Sequence, residues 1–191
     1  MFLLSRPSDD QIEQFICSQA DSDFSYDALG ASVDGLIPVG YNVDHTRTLL
    51  GHGDLTWQKA VQALRNWKTF EIPWVQLCWP DAPIELGTNV AVLISHFGFW
   101  SLNASRIVRV IEDSGARERF GFAYGTLLEH SESGEERFSI EWHKHDNTVW
   151  YDLLAFSRPR AKLARLAFPL SRMLQWRFAA CSKRAMSTAV A

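Results

Sequence analysis

The amino-acid sequence predicts an α+β fold, in which a curved antiparallel β-sheet meander of about six strands grips a long C-terminal helix and two shorter helices lie nearer the N-terminus. Three observations support this prediction. Apolar residues recur with a period of two between residues 89 and 157, as in half-buried strands. The turns between these strands are short, and short connections require antiparallel neighbours. After Pro159 the apolar spacing becomes helical and continues to Cys181.

Local signals predict the first helix. Ser8 and Gln11 have the S-x-x-Q spacing of a capping box, which opens a short amphipathic helix. This helix would direct Ile12, Phe15 and Ile16 toward a core.

A loop and a second helix are predicted to follow. Residues 21–40 are rich in Asp, Ser and Gly and are typical of a loop. Asp54 is expected to cap a helix that continues to about Trp67, because Ala60 and Leu64 fall near helical spacing.

Period-two patterns and turn residues define the sheet. Strands are expected at 41–50, 72–78 (a short one), 89–97, 104–112, 117–128, 136–145 and 148–157. Turn signals occur at Gly98, Ser114-Gly115, Ser133-Gly134 and Asp146-Asn147. The C-terminal helix would carry Leu163, Leu166, Leu170, Leu174, Phe178 and Cys181, and Pro169 predicts a kink in it or two consecutive helices.

The composition indicates one domain spanning residues 1–191. With 47% hydrophobic and 21% charged residues, the chain resembles neither a disordered protein nor a membrane protein. No apolar run reaches the roughly 18 residues that span a bilayer, so no membrane insertion is expected. Three widely separated cysteines fit buried thiols in a reducing cytoplasm better than disulfides or a zinc site. We therefore expect a cytoplasmic protein without metal or cofactor.

Charge is distributed unevenly along the chain. From Arg158 onward there are eight basic and no acidic residues, which leaves 11 basic and 22 acidic residues before it. The simplest interpretation is a basic helix docked on an acidic sheet, although such asymmetry can also mark a contact with an acidic partner or a membrane surface. Basic residues do not alternate with aromatic residues as in a nucleic-acid platform, so nucleic acid is not expected as a partner.

One strand alternates large and small side chains. Phe120, Phe122 and Tyr124 share one face, whereas Gly121 and Gly125 share the other. Glycine weakens a strand, so its repetition indicates close approach of a bulky group. That group would be the C-terminal helix or a ligand above a cavity floor, and the two interpretations are compatible.

Two polar clusters could carry chemistry. His45 follows a carboxylate and could act as a general base, with Arg47 holding an anionic group; ordinary surface ion pairs are the alternative. A turn carrying His130 and the three carboxylates of Glu132, Glu135 and Glu136 offers acid–base groups or oxygen ligands. It lacks the spacing of a calcium loop or a zinc helix, so we assign no metal to it.

The orientation of Asp152 depends on the register of its hairpin. A two-residue turn at Asp146-Asn147 would leave Asp152 outside, and a three-residue turn would bring it inward. An inward carboxylate would need a raised pKa or a cationic partner such as Arg106.

Several motifs together resemble the DUF1990 family, also catalogued as UPF0548, whose members are uncharacterised. They are Tyr41, His45, Leu50-Gly51-His52-Gly53, Trp67, Trp74, Gly121 to Leu127, His130, Gly134-Glu135-Glu136 and Ser157-Arg158-Pro159. The resemblance covers nearly the whole chain and supplies no catalytic residue. Its order of elements is distantly similar to START-like helix-grip (SRPBCC) proteins, which implies a small molecule held between sheet and helix.

Three functions follow from these observations. The first is binding of a small apolar or amphipathic molecule between sheet and C-terminal helix. Its candidate ligand-binding residues are Tyr41, His45, Arg47, Phe122, Tyr124, Trp142 and Tyr151, with the first three at the mouth. The second is an acid–base enzyme of cyclase, isomerase or hydrolase type, with His45, His130, Glu135, Glu136 and Asp152 as candidates. The third is a protein interaction through the basic C-terminal surface. The sequence does not decide whether there is catalysis.

Overall fold

The computed structural model describes residues 1–96, 98–160 and 168–191. In chain order its elements are β1 (Phe2–Leu3), α1 (Asp9–Ser18), α2 (Ala31–Asp34), β2 (Asn42–His52), α3 (Gly53–Arg65), a 3₁₀ turn (Lys68–Phe70), β3 (Val75–Leu77), β4 (Asn89–His96), β5 (Phe99–Asp113), β6 (Arg117–Thr126), β7 (Glu132–His143), β8 (Thr148–Pro159) and α4 (Phe168–Val190).

All the strands belong to one antiparallel sheet. Its order is β2-β8-β7-β6-β5-β4-β3, and β1 pairs separately with β5. Strands β3 to β8 form the predicted meander, while β2 crosses over to pair with β8. The predicted α+β fold is confirmed, with β1 as a strand that the sequence analysis did not anticipate.

The helices agree with the sequence signals at most positions. Ser8 and Gln11 form the predicted capping box at the start of α1. The second helix begins at Gly53, so Asp54 lies in its first turn and does not cap it. In α4, Pro169 is the second residue, and the predictions for Leu163 and Leu166 fall outside the described residues. The predicted loop at 21–40 contains the short helix α2.

Helices α3 and α4 pack against the concave face of the sheet. One end of this interface is filled by a continuous aromatic core that includes Trp67, Phe122 and Phe138. Three buried hydroxyl groups join the elements there: Ser182 of α4 lies 2.7 Å from Tyr151 Oη and 2.6 Å from Thr69 Oγ1. Burial raises the pKa of Tyr151, so its hydroxyl stays protonated and able to donate.

The predicted turn at Ser133-Gly134 is wrong, because both residues lie inside β7. Thr126 Oγ1 accepts a hydrogen bond from Gly134 N at 2.9 Å and donates to Gly134 O at 3.1 Å, so a side chain continues the ladder there. Glycine is needed because a Cβ on Gly134 would overlap the carbonyl oxygen of Phe156. Close strand approach, and not chain reversal, explains this glycine.

The glycine face of β6 is covered by neither the C-terminal helix nor the cavity, which corrects both interpretations of that stripe. A Cβ on Gly125 would overlap the hydroxyl of Tyr26, and one on Gly121 would overlap the backbone at Phe138 in the neighbouring strand. The helix α4 packs on the aromatic face, where Phe178 lies 5.7 Å from Phe70 between ring centroids. The close group is therefore Tyr26 of the N-terminal segment at Gly125 and the backbone of β7 at Gly121.

Glu135 fastens that segment to the convex face of the sheet. Its buried carboxylate accepts hydrogen bonds from Tyr26 Oη at 2.6 Å, Gly30 N at 2.7 Å and Ser32 N at 2.9 Å, and also from Ser32 Oγ. Gly30 and Ser32 lie at the start of α2, where backbone N–H groups have no partner within the helix. A charged acceptor here satisfies four donors at once.

We predict that Glu135→Gln lowers the free energy of unfolding by about 2–3 kcal/mol, because the amide NH₂ cannot accept and leaves a buried donor unsatisfied. Urea unfolding followed by tryptophan fluorescence measures this loss. Glu112→Gln is the control, since Glu112 forms an exposed pair with Arg65 at 3.1 Å that is worth about 0.5 kcal/mol. Equal losses in the two variants would contradict the anchoring role.

Candidate ligand-binding cavity

A cavity of about 640 Å³ lies between the concave face of the sheet and α4. Most of its surface is apolar, supplied by Phe70, Trp74, Val92, Ile94, Phe99, Leu153, Leu170, Leu174 and Phe178. Polar residues are concentrated on β5, β6 and β7: Ser101, Asn103, Ser105, Thr126, Glu132 and Glu136. An apolar chamber with a few clustered polar groups is the usual form of a small-molecule site.

The alternation of β5 explains why this end of the sheet is hollow. Ser101, Asn103 and Ser105 face the cavity, while the intervening Leu102 and Ala104 pack with α1 on the other face. Small polar side chains do not fill the space beneath the helix. Further along the sheet, aromatic side chains such as Phe122 fill it.

Glu136 and Tyr124 form a hydrogen-bonded pair in the cavity. Tyr124 Oη donates to Glu136 Oε2 at 2.8 Å. Burial raises the pKa of Glu136 to about 7, the hydrogen bond from Tyr124 opposes that rise, and the charge of Asp44 adds to it. The Glu136 carboxyl can therefore gain or lose a proton near neutral pH.

Glu132 is a second carboxyl group facing the cavity from β7. Burial raises its pKa to about 7, and the positive charge of Arg172 opposes this. Its Oε2 atom is buried and has no hydrogen-bond partner among the residues that the structure describes. Gly134 lies between Glu132 and Glu136 on the same face of β7, so no side chain separates the two carboxyl groups along the strand.

An ion pair joins α4 to β2 beside the cavity. Arg172 donates from Nη1 to Asp44 Oδ2 at 2.5 Å and from Nη2 to Asp44 Oδ1 at 2.6 Å. Trp176 Nε1 donates to the same carboxylate at 3.1 Å, and the hydrogen bonds to Asp44 raise the pKa of Arg172. This is a direct contact between the basic C-terminal part and the acidic body. Its bidentate geometry is the strong form of such a pair.

Two histidines in the cavity wall are held neutral. Burial lowers the pKa of His130 to about 3, and the charge of the Met1 amino group lowers it further. Its Nδ1 lies 3.0 Å from Glu132 N and 3.1 Å from Glu132 O, so the ring is fixed against the backbone of β7. Burial also lowers the pKa of His96, which lies 2.6 Å from Ser101 Oγ.

The structure distributes the predicted site residues over three regions. Tyr124, His130 and Glu136 line the cavity. Glu135 borders it but turns its carboxylate to the convex face, as described above. Phe122 and Tyr151 belong to the filled aromatic core, and Trp142 packs against Trp57, with ring centroids 6.2 Å apart.

The residues expected at the mouth do not line the cavity. On β2 the side chains of Asp44 and Thr46 face the cavity, so the alternating His45 and Arg47 face the opposite side. Arg47 lies over the Trp150 ring at 4.3 Å. Tyr41 packs against Phe156 on that same convex side.

Asp152 lies on the convex face and is nevertheless buried. A four-residue loop at 144–147 pairs Ser139 with Asp152, which gives the same side-chain orientation as the two-residue turn. The Asp152 carboxylate pairs with Arg137 at 2.5 Å and with His45 Nε2 at 2.7 Å. The expected partner Arg106 instead donates to Asn89 at 2.7 Å. His45 and Asp152 thus meet, but away from the cavity.

Potential metal ligands come together at an exposed turn. His143, His145 and Asp146 have ligand atoms within 4.8 Å of one another. Asp146 also accepts a hydrogen bond from Thr148 Oγ1 at 2.7 Å, and exposed groups of this kind are common without an ion. We assign no metal to them.

Sequence reasoning missed several cavity residues. Ser101 and Asn103 fell outside the predicted strand 104–112, although they continue its alternation of polar and apolar positions. Glu132 was placed in a turn because Ser133-Gly134 looked like a chain reversal. The alternation through 99–113 was the signal that could have located the polar wall.

A curved antiparallel sheet wrapped on a C-terminal helix, with a cavity between them, defines a helix-grip protein. The model of the family described as "Domain of unknown function (DUF1990)" matches residues 25–185, and the chain belongs to that family.

Relatives described as UPF0548 proteins come from distant organisms. One from Dictyostelium discoideum is 35% identical over 100% of this chain and 96% of its own length. One from Deinococcus radiodurans is 34% identical over 89% of each chain, and one from Arabidopsis thaliana is 30% identical over 95% of this chain and 93% of its own.

A solved structure shares the fold at low sequence identity. A hypothetical protein of Helicobacter pylori superposes with a TM-score of 0.51 at 12% identity, covering 89% of this chain and 100% of that one. A norcoclaurine synthase point mutant of Thalictrum flavum has a TM-score of 0.47 at 12% identity, covering 81% of this chain and 96% of that one.

Within the described ranges, no helix is both long enough and apolar enough to cross a membrane.

Cys17, Cys78 and Cys181 are free thiols, but Cys17 is exposed, so the expectation of buried thiols is wrong for it.

We predict that Glu136→Gln is more stable than the wild type at pH 8 by about 3 kcal/mol, with the difference vanishing near pH 4.5. Burial raises the Glu136 pKa from 4.5 to about 7, so the protonated carboxyl stabilises the folded state at low pH. This stabilisation is lost as the pH rises through 7 and the carboxyl ionises. Glutamine stays neutral throughout.

Urea unfolding of both proteins at several pH values measures the difference. Because Glu132 and His130 titrate in both, their contributions cancel in the comparison. A stability difference that is constant from about pH 5 to 8 would show that Glu136 titrates as an ordinary surface carboxylate.

Proposed function

We propose that this protein binds a small apolar or amphipathic molecule in the cavity between the sheet and α4. The observation that supports the proposal best is the cavity itself, whose volume of about 640 Å³ lies within the range of sites for drug-sized ligands. Its apolar wall would provide the hydrophobic contribution to binding.

The lining assigns different roles to its two sides. Leu174 and Phe178 of α4, with Phe70 and Trp74, would contact the apolar body of the ligand. The polar wall of β5 to β7 would orient its polar group. Among the residues predicted from sequence for binding, Tyr124 keeps this role in the proposal.

Filling the cavity should abolish binding. Leu174→Trp adds an indole to the lining, and we expect the affinity for the neutral fluorescent probe N-phenyl-1-naphthylamine to fall at least tenfold, since a bulky side chain would occupy the ligand space. Probe fluorescence during titration measures the affinity.

Met173→Trp is the matched control, because Met173 is the preceding residue of α4, is exposed and does not line the cavity. It should bind the probe as the wild type does. Equal binding by all three proteins would place the probe elsewhere, and no binding to the wild type would count against a ligand cavity.

A second function, acid–base catalysis, is favoured by one observation. Glu136 has a pKa of about 7 and lies inside the cavity, which suits a general base near neutral pH. The sequence-based pairing of His45 with Asp152 does not contribute, because both lie on the other face. His130 is held neutral and would contribute only as a hydrogen-bond donor or acceptor.

The catalytic hypothesis can be tested without knowing the substrate. A general base should take an α-hydrogen from a bound ketone and exchange it with solvent, which proton NMR of 2-octanone in D₂O detects. Exchange accelerated at least tenfold by the wild type and lost in Glu136→Gln would support catalysis. Exchange at the buffer rate would count against it.

The structure does not favour the third function, interaction through the basic C-terminal surface. Arg172 is already paired with Asp44 of the same chain. Arg177 lies over the ring of Trp74 at 5.0 Å, and Lys183 donates to Thr46 Oγ1 at 2.6 Å. These basic side chains therefore contribute to packing α4 on its own sheet.

A further inference from the structure

We infer that the ligand of this cavity is an amphipathic molecule with a basic nitrogen, whose protonated form lies against Glu136 and Glu132. The inference rests on the proposed function, because it names the chemical class that the same cavity would select. Its basis is the arrangement of charged groups around the polar wall.

Neither Glu136 nor Glu132 forms a salt bridge in the described part of the chain, although the charge of Arg172, which is paired with Asp44, acts on Glu132. Glu136 accepts one hydrogen bond, from the neutral Tyr124, and its Oε1 atom accepts none there. Glu132 Oε2 is buried without a partner. A buried carboxylate lacking a counter-charge is costly, and a ligand cation would supply what the fold omits.

Two basic side chains of α4 beside the cavity already have partners on β2. Arg172 points both of its terminal nitrogens at Asp44, and Lys183 donates to Thr46. His96 and His130 are held neutral by burial. Within the described residues, the polar wall therefore presents unpaired negative charge once its two carboxyl groups ionise.

The surrounding groups also oppose an anionic ligand. Glu136 faces Tyr124 on β6, Tyr151 on β8 and the Asp44 carboxylate on β2, and Glu132 faces Arg172 on α4 and neutral His130 beside β7. An anionic headgroup would meet three carboxyl groups and one arginine that already has its own partner. Coulomb repulsion in an apolar cavity disfavours that arrangement.

The space between the two carboxyl groups admits a headgroup. Gly134 lies between them on the strand and projects no side chain into the cavity. An ammonium group has up to three hydrogens to donate, which matches the open oxygen atoms of Glu132 and Glu136. The apolar tail would then extend along Leu174 and Phe178.

Cation binding must be coupled to proton release. Both carboxyl groups have a pKa of about 7 in the free protein, and a nearby cation favours the ionised form. The affinity for a cation should therefore reach its maximum above about pH 8 and fall as the pH drops through 7. A neutral ligand with the same tail should show little of this dependence.

Three probes with one tail test the inference: octylamine, 1-octanol and octanoate, each displacing N-phenyl-1-naphthylamine at pH 5.5 and 8.5. We expect octylamine to bind at least tenfold more tightly at pH 8.5 than at pH 5.5, and to be the tightest of the three at pH 8.5. Octanol should change less than about threefold, and octanoate should bind most weakly at pH 8.5.

Variants assign the pH dependence to the two glutamates. In Glu132→Gln/Glu136→Gln the pH dependence of octylamine binding should disappear, whereas Glu112→Gln, far from the cavity lining, should keep it. Near-ultraviolet circular dichroism of the double variant and of each single variant establishes that the proteins are folded. A pH dependence that survives in the folded double variant would overturn the inference.

The outcomes separate this inference from the proposed function. If octanol displaces the probe but octylamine binds no better at pH 8.5 than at pH 5.5, the ligand class is wrong and the cavity remains a binding site. If octanoate binds most tightly of the three, the ligand class is likewise wrong and the cavity remains a binding site. If neither the fluorescent probe nor any of the three ligands binds, the proposed function fails, and the inference fails with it.

Discussion

Three buried hydroxyl groups determine where the long helix crosses the sheet, and the cavity depends on that crossing. Thr69, Tyr151 and Ser182 come from the 3₁₀ turn, β8 and α4, so their hydrogen bonds join three separate elements at one point. Each hydroxyl can donate and accept, so a cluster of three satisfies itself without water. On one side the aromatic core fills the sheet completely. On the other side, the bidentate pair of Arg172 with Asp44 holds the helix where no core lies beneath it.

The carboxyl groups of β7 show how position alone gives one residue type opposite roles. Glu135 is surrounded by four donors and stabilises the fold, whereas Glu136 has one neutral donor and a cavity in front of it. Burying a carboxylate without enough hydrogen-bond donors or a counter-charge destabilises the folded protein. The same burial raises the pKa of the carboxyl group, so that a proton or a cation binds to it near neutral pH. Glu132 and Glu136 as whole residues are nevertheless only half-buried, because both line the cavity. The fold-stabilising carboxylate and the cavity-facing carboxyl group thus lie on the two faces of one strand.

Periodicity predicted the fold well and the site poorly. The period-two pattern located the six principal strands and the helical spacing located α4, because both depend on which residues must leave water. The capping box of α1 was equally reliable, since Ser8 and Gln11 interact over three residues. The faces of β2 and the contact of His45 with Asp152 depend on strand pairing across more than 100 residues, which local patterns do not encode. Gly134 was misjudged because a glycine needed for close strand approach looks the same in sequence as one needed for a turn.

The adjacent positions of Glu135 and Glu136 make β7 intolerant of changes in length. A single residue inserted between Gly134 and Glu135 would rotate every later side chain of the strand to the other face of the sheet. The anchoring carboxylate would then point into the cavity, and a phenylalanine of the core would point toward the N-terminal segment. A substitution in this strand changes the side chains on one face of the sheet only. An insertion or deletion moves the Glu135 carboxylate, the cavity-facing residues and the core residues together. The fold therefore constrains the length of β7 more strictly than the identity of its residues.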